Sequence, residues 1–166
     1  ASRDNKKMSN VRALQILKDR TDVVFIALHG TFGEDGTIQS MLDEFGIAYT
    51  GSGMFASALG MDKAMSSRIF RDAGMNVPAF HIFSADQIKN IYKKHIGEII
   101  STLGMPLVVK PLNQGSSIGV SIVRDAQDIF HAMKLAQKYS SNIMIQKFIH
   151  GREITCGILE RREGNK

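Results

Sequence analysis

The run "VVKPLNQGSSIG" at residues 108–119 carries Lys110 and Pro111 at the end of an apolar stretch, then Gln114, Gly115, Ser116, Ser117 and Gly119. A phosphate is held by converging main-chain N–H donors with a cation close by. Gly and Ser let the backbone approach, and Lys110 supplies the charge. In the usual phosphate loop the lysine follows the glycines and opens a helix. Here the lysine comes first and the loop lies between two expected strands, so taken alone the run also fits an ordinary strand and hairpin turn.

Three other stretches carry groups able to do chemistry. "LHGTFGEDGTIQ" at residues 28–39 places His29, Glu34 and Asp35 after an apolar run, at the kind of strand end where open α/β sheets bind ligands. Asp35 also suits the start of the helix that follows, where negative charge is stabilised. "MDK" puts Lys63 near the start of a helical piece, where a solvated lysine would be ordinary. "IQKFIHGREIT" at residues 145–155 runs from a strand into a Gly-containing turn with Gln146, Lys147, Ile149 and Glu153.

The elements that must position these groups follow from periodicity. Ser9 or Asn10 caps a helix through about Arg20, after a polar, frayed start. "DVVFIALHG" is continuously apolar and predicts a central parallel strand buried on both faces, with "IAYTG" a second short strand. "TIQSMLDEFG" is a helix closed by Gly46, and "FASALG" and "MDKAMSSRIFRDAG" are two more helical pieces. From Pro78 the pattern changes: an extended segment, a helix from Ala85 to Thr102 capped by Ser84, then "MPLVVKP" and "SIGVSIV" as a hairpin. Asp125 caps a further helix, and "NIMIQKFI" and "REITCGILE" read as two more strands. This divides the chain into residues 1–76, half of an open parallel α/β unit, and residues 77–166, an α+β unit with antiparallel strands. "GILERREGNK" reads as a strand entering a turn with no return strand, so the chain is expected to be truncated.

Composition narrows the class. The chain has 166 residues, 43% hydrophobic and 22% charged, with a net charge of +5. That is an ordinary globular composition, long enough for a sizeable core. The basic excess forms no long run and does not alternate with aromatics, which disfavours nucleic acid as a partner. With Cys156 as the single cysteine there is neither an internal disulfide nor a thiolate metal cluster, and its place in "EITCGIL" suggests a small buried hydrophobe. No apolar run reaches the ~20 residues of a membrane span. A cytoplasmic protein with no membrane partner is expected.

The five stretches "LHGTFGEDGTIQ", "YTGSG", "MDK", "VVKP…GSSIGV" and "IQKFIHGREIT", in this order and spacing, resemble the D-alanine–D-alanine ligases of the ATP-grasp superfamily over about residues 21–160. The resemblance implies part of an N-terminal substrate-binding α/β domain followed by a central ATP-binding domain. It also implies an enzyme that phosphorylates the carboxylate of one D-alanine with ATP. The amine of a second D-alanine then displaces phosphate, giving the dipeptide for peptidoglycan synthesis.

On this resemblance Lys63 and Lys110 contact ATP phosphates, and Ser116, Ser117 and Gly119 belong to the loop folding over them, with Ser116 also at the substrate side. Main-chain groups near Lys147 and Ile149 bond the adenine edge, and Glu153 accepts from the ribose hydroxyls. The family usually has a glutamate at the position of Gln146, whose amide oxygen is still expected to accept from the adenine amino group. His29 orients the substrate carboxylate beside the first D-alanine, with Glu34 supporting it by a hydrogen bond. His81, His95, His131 and His150 match nothing in the family's site.

The resemblance brings Mg²⁺ as a cofactor, but no metal constellation is found after Lys110. Asp125 and Asp128 are helix-start residues, Glu153 goes to the ribose, and Glu160 and Glu163 lie in the unfinished hairpin. The metal ligands are therefore expected outside this chain. The resemblance also suggests a homodimer. Two alternatives stay open: another ATP-grasp carboxylate–amine ligase, including the D-alanine–D-lactate type, and a non-catalytic basic module binding nucleotide or nucleic acid.

Overall fold

A computed structural model of the chain describes residues 9–91 and 93–159. The first region is helical. Ser9 caps α1 (Asn10–Arg20), its Oγ accepting from the Arg12 N–H at 3.4 Å. Next come α2 (Thr37–Glu44), α3 (Met54–Met61) and α4 (Lys63–Asp72). Gly46 ends α2 with φ of +63°, a left-handed turn that costs glycine nothing. Leu14, Leu42 and Ile47 form a small core here, with Leu17, Val24, Ile26 and Tyr49 packed around it.

The two expected parallel strands are not formed. A single parallel bridge joins Val24 to Tyr49, closed by Val24 N–H to Ala48 O at 2.8 Å and Thr50 N–H to Val24 O at 3.0 Å. Val24 and Ile26 are partly buried, whereas Val23 and Phe25 are exposed, Phe25 by 77%. The run is therefore covered on one face only. Parallel strands become fully buried when helices cover both faces, and no described helix lies over the second.

The second region is built around an antiparallel sheet of β1 (Phe80–Ser84), β2 (Leu107–Pro111), β3 (Ser121–Val123) and β4 (Asn142–Lys147), in the order β1-β4-β2-β3. The hairpin expected from "MPLVVKP" and "SIGVSIV" is present, pairing Leu107 with Val123 and Val109 with Ser121. Side chains alternate across the pleat. Leu107, Val109, Ile143 and Ile145 are fully buried on one face, in the main core with Ile129, Met133 and Ala136 of α7 (Ile129–Gln137). The opposite face carries Lys110 and Met144 as direct cross-strand partners, and Met144 packs with Leu112 and Ala64 of α4.

Ser84 starts its helix with a reciprocal cap: its Oγ accepts from Gln87 N–H at 3.3 Å and Gln87 Oε1 accepts from Ser84 N–H at 2.8 Å. The helix expected from Ala85 to Thr102 is instead two, α5 (Ala85–Lys89) and α6 (Lys93–Leu103). It breaks at Asn90, whose side-chain amide donates to Asp86 O at 3.1 Å and whose N–H bonds Gln87 O. Asp125 precedes a 3₁₀ turn (Ala126–Asp128) without a side-chain cap bond, and α7 begins only after it.

The strand expected at "REITCGILE" is also absent. Residues 152–159 take no regular structure and are exposed, with Ile154 80% and Ile158 89% accessible. Extended backbone becomes a strand only by pairing, and no described strand lies beside this segment. Cys156 is accordingly exposed, not buried. Residues 160–166, with Glu160 and Glu163, lie outside the described residues. No helix among the described residues is long and apolar enough to cross a membrane.

Candidate functional site

Asp62 caps α4, its Oδ1 accepting from the N–H groups of Ala64 at 2.9 Å and Met65 at 3.0 Å. This fixes the next residue, Lys63, at the first helical position facing the end of β2. The Lys63 ammonium donates to Leu112 O at 3.3 Å and to Gln114 O, so a cation from the first region ties down the start of the Gly/Ser loop. Lys110 projects from β2 beside it and donates to Gln146 Oε1 at 2.7 Å. Burial pushes both ammonium groups below the usual lysine value. For Lys110 the charge of Lys63 adds to the fall, and for Lys63 the carboxylate of Asp62 partly restores it. Among the described residues no ion pair neutralises either lysine. Two uncompensated cations side by side favour an anion.

The loop beside them has three left-handed residues. Ser116 and Ser117 have φ of +50° and +60°, and Gly119 has φ of +68°. These left-handed residues make a tight turn, closed by Ile118 N–H to Gly115 O at 3.1 Å and Val120 N–H to Ser117 O at 3.3 Å, and turns can present main-chain N–H groups to an anion. A side chain at Gly119 would stand 2.7 Å from Tyr139 Cδ2 and 2.9 Å from Pro111 Cγ, so the backbone needs glycine there for space as well as for φ. Gln114 Nε2 donates to Tyr139 O at 3.2 Å and fixes the loop from the other side.

The loop also meets the first region. A Cβ added at Gly115 would lie 4.0 Å from Glu34 Oε2. That oxygen accepts from Gly30 N–H at 2.6 Å, so the support expected for His29 goes to the backbone and not to the His29 ring. Asp35 behaves as a helix-start residue, accepting from Phe32 N–H at 2.8 Å and Thr37 N–H at 3.0 Å. The first of these bonds is the main reason its carboxyl lies below the usual value. His29, Glu34, Ser52 and Gln39 line an open cavity of about 530 Å³ between this loop and α3. Phe32, Ser116 and Ser117 are the described non-glycine residues with positive φ, and all three lie in the two loops that meet here. Such strain, of order 1–3 kcal/mol per residue, persists where the surroundings over-determine it, and it gathers at functional sites.

The hinge is brought in only partly. Lys147 continues β4, its N–H bonding Ala79 O at 2.9 Å, while the Ile149 N–H has no intramolecular partner among the described residues. Glu153 lies in the exposed irregular segment, with no hydrogen bond to the lysines or the loop. The sequence reading passed over Asp62, Gln114, Tyr139 and the buried Gln39. An Asp just before a helical run is a readable cap signal. The roles of Gln114 and Tyr139 rest on contacts 25 residues apart and leave no local trace. Gln39 Nε2 donates to Gly33 O at 2.8 Å, while its Oε1 is buried without a partner.

Known proteins resemble this chain in sequence and in fold. Residues 69–166 match the family model described as the D-ala D-ala ligase C-terminus, and residues 1–52 match the D-ala D-ala ligase N-terminus. A D-alanine–D-alanine ligase of Geobacter sulfurreducens is 40% identical over 147 residues, covering 89% of this chain and 44% of that protein. The Bacillus anthracis D-alanine–D-alanine ligase complexed with ATP superposes with a TM-score of 0.72 at 32% identity, over 87% of this chain and 46% of that one. The VanG D-Ala:D-Ser ligase of Enterococcus faecalis superposes with 0.71 at 34% identity, over 79% of this chain and 37% of that one. The chain thus spans less than half the length of the relatives it matches. The chain belongs to the D-alanine–D-alanine ligase family.

Proposed function

We propose that this chain carries the ATP phosphate site and part of the first substrate site of a cytoplasmic ligase joining two D-alanines. In this reading residues 1–76 belong to the substrate-binding domain and residues 77–166 to the ATP-binding domain. The observation that carries it is the pair Lys63 and Lys110, un-neutralised and partly buried beneath a Gly/Ser loop.

The chemistry follows from that placement. A D-alanine carboxylate attacks the terminal phosphorus of ATP and ADP leaves, which crowds negative charge at one point. Lys63 and Lys110 offset that charge, and the N–H groups around Ser116, Ser117 and Gly119 hold the phosphate oxygens. His29, in the open cavity with Glu34, orients the D-alanine carboxylate. The amine of the second D-alanine attacks the acyl carbon and phosphate departs. Main-chain groups near Lys147 and Ile149 receive the adenine, with Glu153 at the ribose.

Mg²⁺ is the metal expected with ATP chemistry of this kind. Among the described residues no three His, Cys, Asp or Glu side chains cluster to hold a metal ion, so no step is assigned to it here. In the alternative reading the acceptor is another nucleophile. The likeness to a D-Ala:D-Ser ligase favours keeping acceptor identity open within the same chemistry.

The test is nucleotide binding by the 166-residue chain, with phosphate release measured in a full-length ligase containing it. ATP is expected to bind the chain weakly, and Lys110→Ala to remove that binding. No D-alanine-dependent phosphate release is expected from the chain alone. ATP affinity unaffected by Lys110→Ala would overturn the assignment.

A further inference from the structure

Tyr139 meets the Gly/Ser loop at both of its ends. Where the loop begins, the Tyr139 carbonyl accepts from Gln114 Nε2 at 3.2 Å. Where it finishes, the edge of the Tyr139 ring lies so close to Gly119 that a Cβ there would stand 2.7 Å from Cδ2. Tyr139 is itself anchored. It lies two residues beyond α7, its N–H donates to Ala136 O at 3.1 Å, and Ala136 is fully buried in the main core. Gln114 is held a second time through its own carbonyl, which accepts from the Lys63 ammonium. The loop therefore leaves one fixed residue and returns to another, and both rest on the same tyrosine.

The residues between need that restraint. Ser116 and Ser117 have positive φ, a conformation that a Cβ disfavours and that persists only where the surroundings over-determine it. Ser116, Ser117 and Ile118 are exposed, and the turn bonds from Ile118 N–H to Gly115 O and from Val120 N–H to Ser117 O compete with water. Bonds of that kind contribute little net free energy each, so the fixed ends carry much of the restraint.

We infer that Gln114 and Tyr139 form a clasp that holds the Gly/Ser loop in shape before a nucleotide arrives, and that both are positioning residues for its phosphates. The inference rests on the phosphate reading of the loop and the two lysines. Neither side chain has to touch the ligand. Ordering a loop on binding costs free energy that would otherwise appear as affinity, so a loop ordered in advance binds more tightly. The clasp uses the Gln114 amide, the Tyr139 carbonyl and the Tyr139 ring edge, and neither contact involves the Tyr139 hydroxyl. Three substitutions separate these parts. Gln114→Met keeps the length but loses the donor and adds no charge, Tyr139→Ala removes the ring but keeps the carbonyl, and Tyr139→Phe keeps both contacts.

The first measurement is amide hydrogen exchange of the ligand-free chain, read at Ile118 and Val120. Gln114→Met and Tyr139→Ala should each speed exchange there roughly fivefold, the scale of one net hydrogen bond, while the amides of β2 and β4 keep their protection. Tyr139→Phe should exchange as the unaltered chain does. Unchanged exchange at Ile118 and Val120 in both clasp variants would overturn the inference. Equal acceleration in the sheet would do so too, because the two residues would then serve stability at large. The second measurement is calorimetric titration with ADP and with adenosine. Gln114→Met should weaken ADP roughly fivefold and leave adenosine unchanged. Equal losses for both ligands, or none for ADP, would overturn the positioning role. A loss of ADP affinity in Tyr139→Phe as large as in Tyr139→Ala would make the hydroxyl the working group and overturn the clasp. If the unaltered chain gained nothing from the phosphates of ADP over adenosine, the phosphate reading would fail, while the exchange rates would still judge the clasp.

Discussion

The two regions solve the problem of burial in different ways. In the sheet region, residues 80–147, three antiparallel ladders and the helices beside them enclose a core in which Leu107, Val109, Ile143 and Ile145 are fully buried. In the first region one parallel bridge and a core of Leu14, Leu42 and Ile47 leave Val23, Phe25 and Leu28 exposed. Antiparallel strands need a hairpin or a short excursion to meet, whereas parallel strands need crossover helices on both faces. The site draws on both regions. The sheet supplies a rigid face for Lys110 and the loop, and the first region lends Lys63, Glu34 and His29 from helix starts and loops.

The largest expected effect lies on the rigid side. In a full-length ligase containing this chain, Lys110→Ala should lower kcat/KM for ATP by on the order of 10²-fold or more, the scale of losing a preorganised charge stabiliser. Steady-state kinetics without such a loss would move the phosphate site off the sheet.

Core substitutions sharpen the contrast in stability. Ile145→Ala should cost about 3 kcal/mol in urea unfolding of the chain, and Leu14→Ala, in the smaller and more open core, about 2 kcal/mol. Equal costs would show that the two cores are equally well packed.

Two glycines with similar backbones test what the site adds. Gly119→Ala meets both a positive φ and the side chains of Tyr139 and Pro111, so about 2 kcal/mol is expected. Gly46→Ala meets only the positive φ, with nothing within 4 Å of its Cβ, so about 1 kcal/mol is expected. A Gly46→Ala cost as large as that of Gly119→Ala would remove the close approach as the reason for glycine in the loop.

pH separates the free and ligand-bound site. Both lysines lie below their ordinary value of 10.5 because burial disfavours the charged form. Between the lowered values and 10.5 the unfolded chain binds more protons than the folded one, so the lysines make ligand-free stability rise with pH across that window. An anion needs the protonated lysines, so ADP affinity should fall over the same range. Thermal melts and ADP titrations at stepped alkaline pH check both slopes, and parallel slopes would contradict the uncompensated pair. The smallest effect belongs to the exposed segment: Cys156→Ser should change stability by less than about 0.5 kcal/mol, while a thiol reagent should react with native Cys156 without delay.

The sequence by itself determined the local elements whose signals are local. Ser84 with Gln87 announces a capping box, Gly46 and Gly74 close helices, and short apolar runs mark β2 and β4. It also located the candidate groups, because a lysine before a Gly/Ser loop and a His/Glu/Asp cluster are visible as chemistry before any fold is known. Tertiary structure decided the rest. Apolarity alone could not say whether "DVVFIALHG" or "REITCGILE" would be buried, since a strand exists only through its neighbours. Nor could it say that Lys63 binds the carbonyls of Leu112 and Gln114, that Gly115 meets Glu34, or that Lys110 leans on Gln146. Those contacts join residues 36 to 81 positions apart, and only the packing of α4 and both loops on one face of the sheet brings them within reach.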